Sequence, residues 1–212
     1  MGDLPRDSSE VQQRIALFGG SFDPPHRGHL AIARAAVDAL SLDVVLFAPT
    51  GRQPLKPKGA SASFADRIAM VSLLCAAEPG FTVSMLDAPR TDGRPNYTVE
   101  ALEAIRSRSP EARLFAIAGA DSFLELPRWH QSQRLLEMAE WIVVSRPGFS
   151  LERLFDTQPL SVAKSQVHVL NGVQESVSAT DLRKKLAAGE DCAALVSPHV
   201  MAYIREHRLY LA

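Results

Sequence analysis

The sequence predicts an α/β fold, a doubly wound and mostly parallel sheet with a small helical portion at its C-terminal end. From Arg14 onward, short runs of Val, Ile, Leu and Phe alternate with longer amphipathic runs, which is typical of repeated βαβ units. The apolar runs are unbroken, as expected for strands covered on both faces. Neither a repeat nor a long linker divides the chain. We therefore predict a loose arm over residues 1–13 and a single domain over residues 14–212.

The first half of the chain yields two strands and two helices. Ile15–Phe18 predicts a strand, and the alanine- and leucine-rich segment Gly28–Leu40 predicts the helix that follows it. Val44–Ala48 predicts a second strand. Ser63 is a good N-cap for a second helix that continues to about Glu78.

The middle of the chain repeats this alternation. Phe81–Leu86 predicts a third strand, and a polar loop rich in Pro and Gly follows over residues 88–96. Thr98–Arg108 predicts a helix. Two further apolar runs, Leu114–Ala118 and Trp141–Ser145, predict strands.

The last part of the chain is mainly helical. Val167–Leu170 predicts a last short strand. Two helices should follow, over Ser178–Ala188 and Pro198–His207. Ser197 as N-cap and proline in the first helical position mark the start of the second.

Composition excludes several classes of protein. Lys and Arg total 23 against 24 Asp and Glu, a net charge of −1, so the chain lacks the basic surplus of a nucleic-acid-binding domain. The longest apolar stretch, Ile68–Ala77, is too short for a membrane span, which needs roughly 20 residues. Cys75 and Cys192 lack the spacing of a zinc site or a disulfide framework. We predict a cytoplasmic protein without nucleic-acid or membrane partners.

A small-residue turn lies between the first strand and the first helix. It begins with Gly19, Gly20 and Ser21, which would let backbone N–H groups approach a phosphate closely at the carboxyl end of a parallel strand. The segment matches neither the P-loop pattern nor the dinucleotide-binding glycine pattern. The turn therefore predicts a phosphate site of another kind.

Two histidines, His26 and His29, stand three residues apart where the first helix opens. Both rings can face one ligand, Gly28 leaves room for it, and the helix N-terminus adds positive potential. An imidazolium there could follow charge as it moves onto phosphate oxygens. Two histidines at this spacing can also bind a metal or only cap and pack the helix, so the pair alone leaves these alternatives open.

The segments Gly19–Pro24 and His26–His29 resemble the nucleotidyltransferase superfamily signature, written G-G-T/S-F-D-P followed by H-x-G-H. The resemblance implies a Rossmann-like nucleotidyltransferase fold. It also implies nucleotidyl transfer from a nucleoside triphosphate to a phosphorylated acceptor, with His26 and His29 as catalytic residues. ATP contacts are implied for Gly19, Gly20, Ser21 and Phe22.

Three further segments resemble the bacterial nicotinate mononucleotide adenylyltransferases. Asn96–Val99 is similar to an S-Y-T-V motif, Gly119–Ser122 with Trp129 to a G-A-D-S stretch with a downstream tryptophan, and Tyr203–Tyr210 to the family's C-terminal ending. The likeness extends over residues 14–211.

This resemblance implies an acceptor site for nicotinate mononucleotide. Trp129 would stack on the nicotinate ring, with Tyr97 nearby, and backbone N–H groups near Thr98 and His130 would receive the nicotinate carboxylate. Lys56 would offer charge to a phosphate, although Leu55 departs from the family's P-P-H-K pattern. On composition alone, Trp129 is better read as a core tryptophan, and Lys56 could be a solvated lysine.

The same resemblance assigns the phosphates of ATP. Val177–Arg183 is similar to the family's I-S-S-T-x-I-R segment, so Ser178, Thr180 and Arg183 would bind the β- and γ-phosphates, with Arg183 also catalytic. Ala179 departs from that pattern. Gly119 and Asp121 would contact the nucleotide. Without the resemblance, Ser178 and Asp121 read as helix caps.

The implied reaction transfers the adenylyl group of ATP to the 5′-phosphate of nicotinate mononucleotide, with Mg²⁺ accompanying ATP and no protein metal site. Alternatives are another acceptor, nicotinamide mononucleotide or a pantetheine phosphate, or a nucleotide-binding module without turnover. A hydrolase with a metal on His26 and His29 is disfavoured, because no acidic residue nearby has suitable helical spacing. Homo-oligomerisation is left open.

Overall fold

The computed structural model describes residues 12–52, 59–145, 164–171, 173 and 177–211. Most of the predicted arm, residues 1–11, lies outside the described residues, as does Lys56 with its loop. Just before the first strand, the Gln13 carbonyl accepts a hydrogen bond of 2.8 Å from the backbone N–H of Arg113.

The predicted α/β sheet is confirmed. Six strands lie in the order β3-β2-β1-β4-β5-β6, and each neighbouring pair is parallel. This is the doubly wound strand order of dinucleotide-binding folds. The strands are β1 Arg14–Gly20, β2 Val44–Pro49, β3 Phe81–Val83, β4 Arg113–Gly119, β5 Glu140–Val144 and β6 Val167–Leu170.

Seven α-helices connect and follow these strands in the described part of the chain. They are α1 Arg27–Leu40, α2 Phe64–Cys75, α3 Thr98–Arg108, α4 Ala120–Leu124, α5 Ser132–Met138, α6 Ala179–Ala187 and α7 Pro198–Glu206. The predicted N-caps Ser63 and Ser197 each accept a hydrogen bond from the backbone N–H of the third residue of their helix. Among the described residues, we find no helix with the length and apolarity that a bilayer crossing requires.

Two parts of the architecture differ from the prediction. Strand β3 ends at Val83 rather than Leu86, because the chain turns away after Ser84, whose N–H donates to the Phe47 carbonyl. Between β4 and β5, helices α4 and α5 and a 3₁₀ turn over Leu126–Arg128 were not predicted. Helices of five and seven residues are too short for the helical period to stand out in a sequence.

The sheet separates two hydrophobic cores. Ala16 and Phe18 of β1 pack with α1, α2, α6 and α7 on one face. Ile15 and Leu17 pack with α3, α4 and α5 on the other face. This alternation follows from the two-residue period of a strand. Because the sheet is buried on both faces, functional groups are directed to its edges and ends.

A crevice follows from the connections of the two central strands. After β1 the chain enters α1 on one face of the sheet, whereas after β4 it enters α4 on the other face. Such a reversal leaves a gap beyond the carboxyl ends of the two strands, where ligands of open α/β sheets bind. Gly19 and Gly20 end β1 at this gap, and Gly119 ends β4.

Candidate active site

A cavity of about 450 Å³ lies at the carboxyl ends of the central strands. This volume is large enough for a small molecule. Its polar and aromatic lining comes from Gly19, Gly20, Ser21, Thr50, Asp87, Asn96, Tyr97, Thr98, Gly119, Ser122, Arg128, Trp129 and His130. We call this cavity the cleft. Eight of the residues predicted to bind a nucleotide thus lie around one cavity: Gly19, Gly20, Ser21, Gly119, Tyr97, Thr98, Trp129 and His130.

Glycines leave the floor of the cleft open. A Cβ atom added to Gly19 or to Gly119 would meet no heavy atom within 4 Å. One added to Gly20 would approach the ring of Phe22 to 3.2 Å. The space in front of Gly19 and Gly119 is therefore free for a ligand, and backbone atoms of both strands can come into direct contact with it.

Aromatic side chains form one wall of the cleft. The ring of Trp129 meets that of the buried Trp141 edge to face, with centroids 5.8 Å apart. The indole of Trp141 is fixed in turn by a hydrogen bond of 3.3 Å from Nε1 to the Leu135 carbonyl. The rings of Tyr97 and His130 lie 4.3 Å apart. The contact with Trp141 thus fixes the ring of Trp129. Trp129 remains half-buried, which suits stacking on a planar ligand.

The segment leading to Tyr97 is fixed by a buried amide. Asn96 is 8% exposed; its Oδ1 accepts from the N–H of Arg52, and its Nδ2 donates to the Ala88 carbonyl over 2.7 Å. These bonds tie the loop before α3 to the loop after β2. Tyr97 then serves as N-cap of α3, so the helix N-terminus, with its unpaired N–H groups, opens at the cleft.

Asp87 is a cleft residue that the sequence analysis did not single out. Burial raises the pKa of its carboxyl to about 6, and a hydrogen bond from the Thr50 side chain opposes this rise. The carboxylate can accept hydrogen bonds from ligand hydroxyls. The predicted strand ended at Leu86, so the position of Asp87 directly beyond its carboxyl end was the available signal, although β3 itself ends at Val83.

We expect Asp87→Asn to raise the free energy of unfolding above pH 6 by about 1–2 kcal/mol, allowing for partial solvation. Below about pH 4 the carboxyl is protonated in both states and the gain vanishes. Between these limits the unfolded chain ionises first, which destabilises the wild type as the pH rises. Urea unfolding of the ligand-free protein at pH 4, 6 and 8 measures this effect.

Asp92 provides a control of opposite sign. Hydrogen bonds from the backbone and side chain of Arg94 hold the pKa of this exposed carboxyl at about 2. Its ionised form stabilises the fold above about pH 4, and the contribution is lost as the pH falls towards 2. Asp92→Asn should therefore lower stability at neutral pH. If Asp87→Asn also lowers the stability at neutral pH, burial does not destabilise the ionised form of Asp87.

The two histidines lie side by side at the start of α1. Their ring centroids are 3.8 Å apart, and the backbone N–H of His26 donates to Nδ1 of His29 over 3.2 Å. His26 is 5% exposed, whereas His29 is only half-buried. The two rings therefore lie next to each other at the start of α1, and His29 is the more accessible of the two.

The hydrogen bond at Nδ1 determines which proton His29 carries. Since Nδ1 accepts, the neutral ring has its proton on Nε2. Burial, and to a smaller extent the charge of His26, lower the pKa of His29 well below its ordinary value. In the ligand-free protein His29 is accordingly a neutral Nε2–H donor, which differs from the imidazolium that the spacing suggested.

The histidines lie beside the cleft rather than in its lining. The ring of His29 is 4.8 Å from that of Phe22 and 5.9 Å from that of Phe18. Phe18 also lines the cleft. Phe22 itself is buried, with a φ of 47°, and does not line the cleft, so its contact with ATP stays a prediction. Trp129 packs on the core of one face of the sheet, whereas His29 contacts Phe18 and Phe22, which belong to the core of the other face.

The start of α6 lies against the histidine loop. Arg183 donates from Nη1 to the Asp23 carbonyl over 2.6 Å and from Nη2 to Oγ1 of Thr180 over 3.4 Å. Ser178 is the N-cap of α6, and its hydroxyl accepts from the N–H of Asp181. The predicted polyphosphate ligands of α6 are thus near the histidines in the fold and do not line the cleft.

Comparison with known proteins assigns the chain to a family. A family model described as cytidylyltransferase-like matches residues 17–185. The "Probable nicotinate-nucleotide adenylyltransferase" of Gloeobacter violaceus is 37% identical over 200 residues, covering 93% of this chain and 96% of that protein. The chain belongs to the nicotinate-nucleotide adenylyltransferase family. A relative of the same name from Neisseria meningitidis is 39% identical over 202 residues, covering 93% of this chain and 98% of that protein.

Solved structures confirm the adenylyltransferase fold. The nicotinic acid mononucleotide adenylyltransferase of Plasmodium falciparum, in complex with NaAD, superposes with a TM-score of 0.74 and covers 94% of this chain and 98% of its own. The sequences are only 16% identical, so this likeness concerns the fold alone.

In this adenylyltransferase, Asp121 is a further predicted residue that does not line the cleft. Asp121 is exposed in the first turn of α4, two residues beyond Gly119. Lys56 lies outside the described residues, and its role stays a prediction.

Sequence reasoning also missed a buried cation. Arg67 of α2 is 2% exposed, and its Nη1 donates to the carbonyls of Ser21 and Thr50, each over 2.9 Å. It thereby joins the loops after β1 and β2. Nothing in the helical pattern of α2 marks Arg67 as different from a solvated arginine, so the sequence offered no signal for this role.

Proposed function

We propose that this chain transfers the adenylyl group of ATP to the 5′-phosphate of nicotinate mononucleotide, forming nicotinate adenine dinucleotide and pyrophosphate in NAD biosynthesis. The observation that carries the proposal is the convergence of two open glycine strand ends and an aromatic wall on one cleft, beside an imidazole pair. The shared name of the curated relatives supports the same reaction.

The aromatic wall fits the acceptor. Trp129 can stack on the pyridine ring, and Tyr97 with His130 extends the apolar surface beside it. The N–H of Thr98 at the start of α3 and that of His130 are the proposed donors to the ring carboxylate. Backbone N–H donors at a helix N-terminus favour an anion over a neutral amide, so the acid is the expected acceptor rather than nicotinamide mononucleotide.

The glycines at the carboxyl ends of β1 and β4 leave room for ATP. Gly19, Gly20 and Ser21, with the backbone of Phe22, would contact the nucleotide from β1, and Gly119 with Asp121 would contact it from β4. The triphosphate would then extend towards His26 and His29 and towards Ser178, Thr180 and Arg183 of α6. Ser178 and Thr180 offer hydroxyls, and Arg183 offers a charge close to the histidine loop.

The proposed adenylyl transfer requires alignment of the two substrates and stabilisation of the developing charge, rather than a covalent enzyme intermediate. A 5′-phosphate oxygen of the acceptor forms a bond to the α-phosphorus of ATP. The bond from that phosphorus to the α,β-bridging oxygen breaks, and its electron pair leaves with pyrophosphate. The Nε2–H of His29 would donate to the α-phosphate, whose negative charge would in turn favour protonation of the ring.

Magnesium would enter with ATP as part of the substrate. Within the described residues, no group of three or more His, Cys, Asp or Glu side chains is arranged to hold a metal ion. Mg²⁺ commonly keeps several waters and binds through substrate phosphates. We therefore propose MgATP as the nucleotide substrate. We also propose that both substrates reach the enzyme in the cytoplasm.

Product analysis tests the function directly. The protein is incubated with ATP, Mg²⁺ and one acceptor at a time: nicotinate mononucleotide, nicotinamide mononucleotide or a pantetheine phosphate. We expect pyrophosphate and a dinucleotide of the mass of nicotinate adenine dinucleotide, formed fastest with the first acceptor. Turnover with a pantetheine phosphate alone would contradict the proposal, and calorimetric binding of ATP without pyrophosphate release would indicate a binding module.

A further inference from the structure

Asp23 holds together the segments around the histidine pair. It lies three residues before His26 and is 3% exposed. Its Oδ2 accepts from the N–H of Ser61 over 2.6 Å, and its Oδ1 accepts from the N–H of Ala62 over 3.0 Å. Because both donors are backbone N–H groups, the carboxylate ties the histidine loop to the segment that leads into α2.

Asp23 also binds α6 through the side chain of Arg183. Nη1 of Arg183 donates to the Asp23 carbonyl over 2.6 Å and lies 3.7 Å from Oδ2. One residue thus positions the histidine loop, residues 61–62 and the start of α6. A displacement of Asp23 would move the proposed triphosphate ligands relative to one another.

The last bond to this carboxylate comes from the far end of the chain. The hydroxyl of Tyr210 donates to Oδ1 of Asp23 over 2.7 Å, across 187 residues of sequence. Tyr210 has a φ of 61°, so the backbone turns after α7 in a conformation that a non-glycine residue seldom adopts. Burial, with the hydrogen bond to Asp23, raises the pKa of Tyr210 above its ordinary value. The phenol is therefore protonated and donates throughout the neutral range.

We infer that Tyr210 is a positioning residue for adenylyl transfer, acting through the Asp23 carboxylate to hold His29 and Arg183 in register for the triphosphate. The inference rests on the proposed function for its kinetic consequence. Tyr210 does not line the cleft, and its hydroxyl donates to the Asp23 carboxylate, so its proposed contribution to catalysis runs through Asp23. Its loss should therefore lower kcat and leave the aromatic acceptor site unchanged.

The chain offers a matched control in Tyr203. Its hydroxyl donates over 3.1 Å to Oδ1 of Asp66, so it is also a half-buried tyrosine bonded to an aspartate. Asp66 lies in the first turn of α2 and holds none of the segments that Asp23 holds. Tyr203→Phe and Tyr210→Phe each remove one hydroxyl and one hydrogen bond, but Asp23 is the more buried acceptor, so Tyr210→Phe should lower the thermal stability more.

Steady-state kinetics of the full chain provide the first test. Tyr210→Phe should lower kcat about tenfold, since small misplacements of reacting groups cost this much or more. The KM for nicotinate mononucleotide should stay within about twofold. Tyr203→Phe should keep both parameters near the wild type. Equal kcat values for the two variants would overturn the inference, and a wild type without turnover would instead refute the proposed function.

Nitrogen-15 NMR of the ligand-free protein gives a readout that needs no activity. The ring nitrogen shifts of His29 report the hydrogen bond at Nδ1 and the proton on Nε2. We expect them to change in Tyr210→Phe and to be unchanged in Tyr203→Phe. Unaltered shifts in Tyr210→Phe would overturn the inference even if the reaction were different.

A double-mutant cycle tests the route through Asp23. Asp23→Ala should lower kcat further than Tyr210→Phe, because alanine accepts none of the bonds that the carboxylate accepts. Adding Tyr210→Phe to Asp23→Ala should then cause no further loss. Additive losses would mean that Tyr210 acts by another path. If Asp23→Ala does not fold, the comparison of Tyr210→Phe with Tyr203→Phe still decides the matter.

Discussion

Replacing His29 by asparagine is expected to lower kcat about 10²–10³-fold, the usual loss on removing one preorganised donor to a developing charge. Asparagine can keep the local structure, because its Oδ1 can accept the His26 N–H as Nδ1 does in the wild type. It lacks a group at the position of Nε2, so the donor to the α-phosphate is lost. Pyrophosphate release under saturating substrates measures the effect, with circular dichroism to confirm folding.

Two further variants sharpen this test. His29→Gln can place an amide N–H near the position of Nε2 and should recover part of the activity. His199→Asn changes an exposed histidine of α7 and should leave kcat unchanged. Near-normal turnover in His29→Asn would remove the histidine from the mechanism.

The pH dependence of stability gives an independent check on His29. Since its pKa is lowered in the folded state, the unfolded chain takes up the proton first as the pH falls below about 6.5. Protonation of His29 should therefore lower the stability of the wild type in that range, whereas Asp87 acts in the opposite direction. His29→Asn should lose less between pH 7 and pH 5 in urea titrations.

Replacing Trp129 by alanine is expected to raise the KM for nicotinate mononucleotide about 10- to 100-fold, since stacking of a base on an aromatic side chain contributes about 1–3 kcal/mol. The indole is supported by Trp141 and not by any part of the histidine loop. The KM for ATP should therefore change much less. Initial rates with each substrate varied in turn separate the two effects.

Trp129→Phe is the matched control, because it keeps a flat aromatic face in the same place and should recover most of the affinity for the acceptor. An equal rise of both KM values in Trp129→Ala would show that the residue shapes the whole cleft. An unchanged acceptor KM would place the pyridine ring elsewhere.

The sequence was sufficient for the architecture where local signals are strong. The apolar runs of β1, β2, β4 and β5 could be read directly, because strands buried on both faces carry no polar interruptions. The helices α4 and α5 could not be read, since their few residues are stabilised by packing on Leu126 and Trp141 rather than by a periodic pattern. Strand β3 was overextended because Leu86 continues the apolar character beyond the last paired residue.

The residues of the candidate site also fall into those that local sequence patterns indicate and those that they do not. The turn at Gly19 and the spacing of His26 and His29 are local patterns, and the sequence alone pointed to a phosphate. Tyr97 and Trp129 belong to separate segments, and only the family resemblance placed them together. Contacts such as Tyr210 with Asp23 depend on how distant segments return to one loop, which no local pattern encodes.

The separation of Trp129 and His29 by the central sheet bears on inhibitor design. A flat aromatic acid could occupy the indole side without touching the imidazoles, and it should compete with the mononucleotide alone. A polyphosphate mimic would meet the imidazole side and compete with ATP. Joining the two fragments by a short bridge over Gly19 and Gly119, where no side chain obstructs the way, would produce a bisubstrate compound.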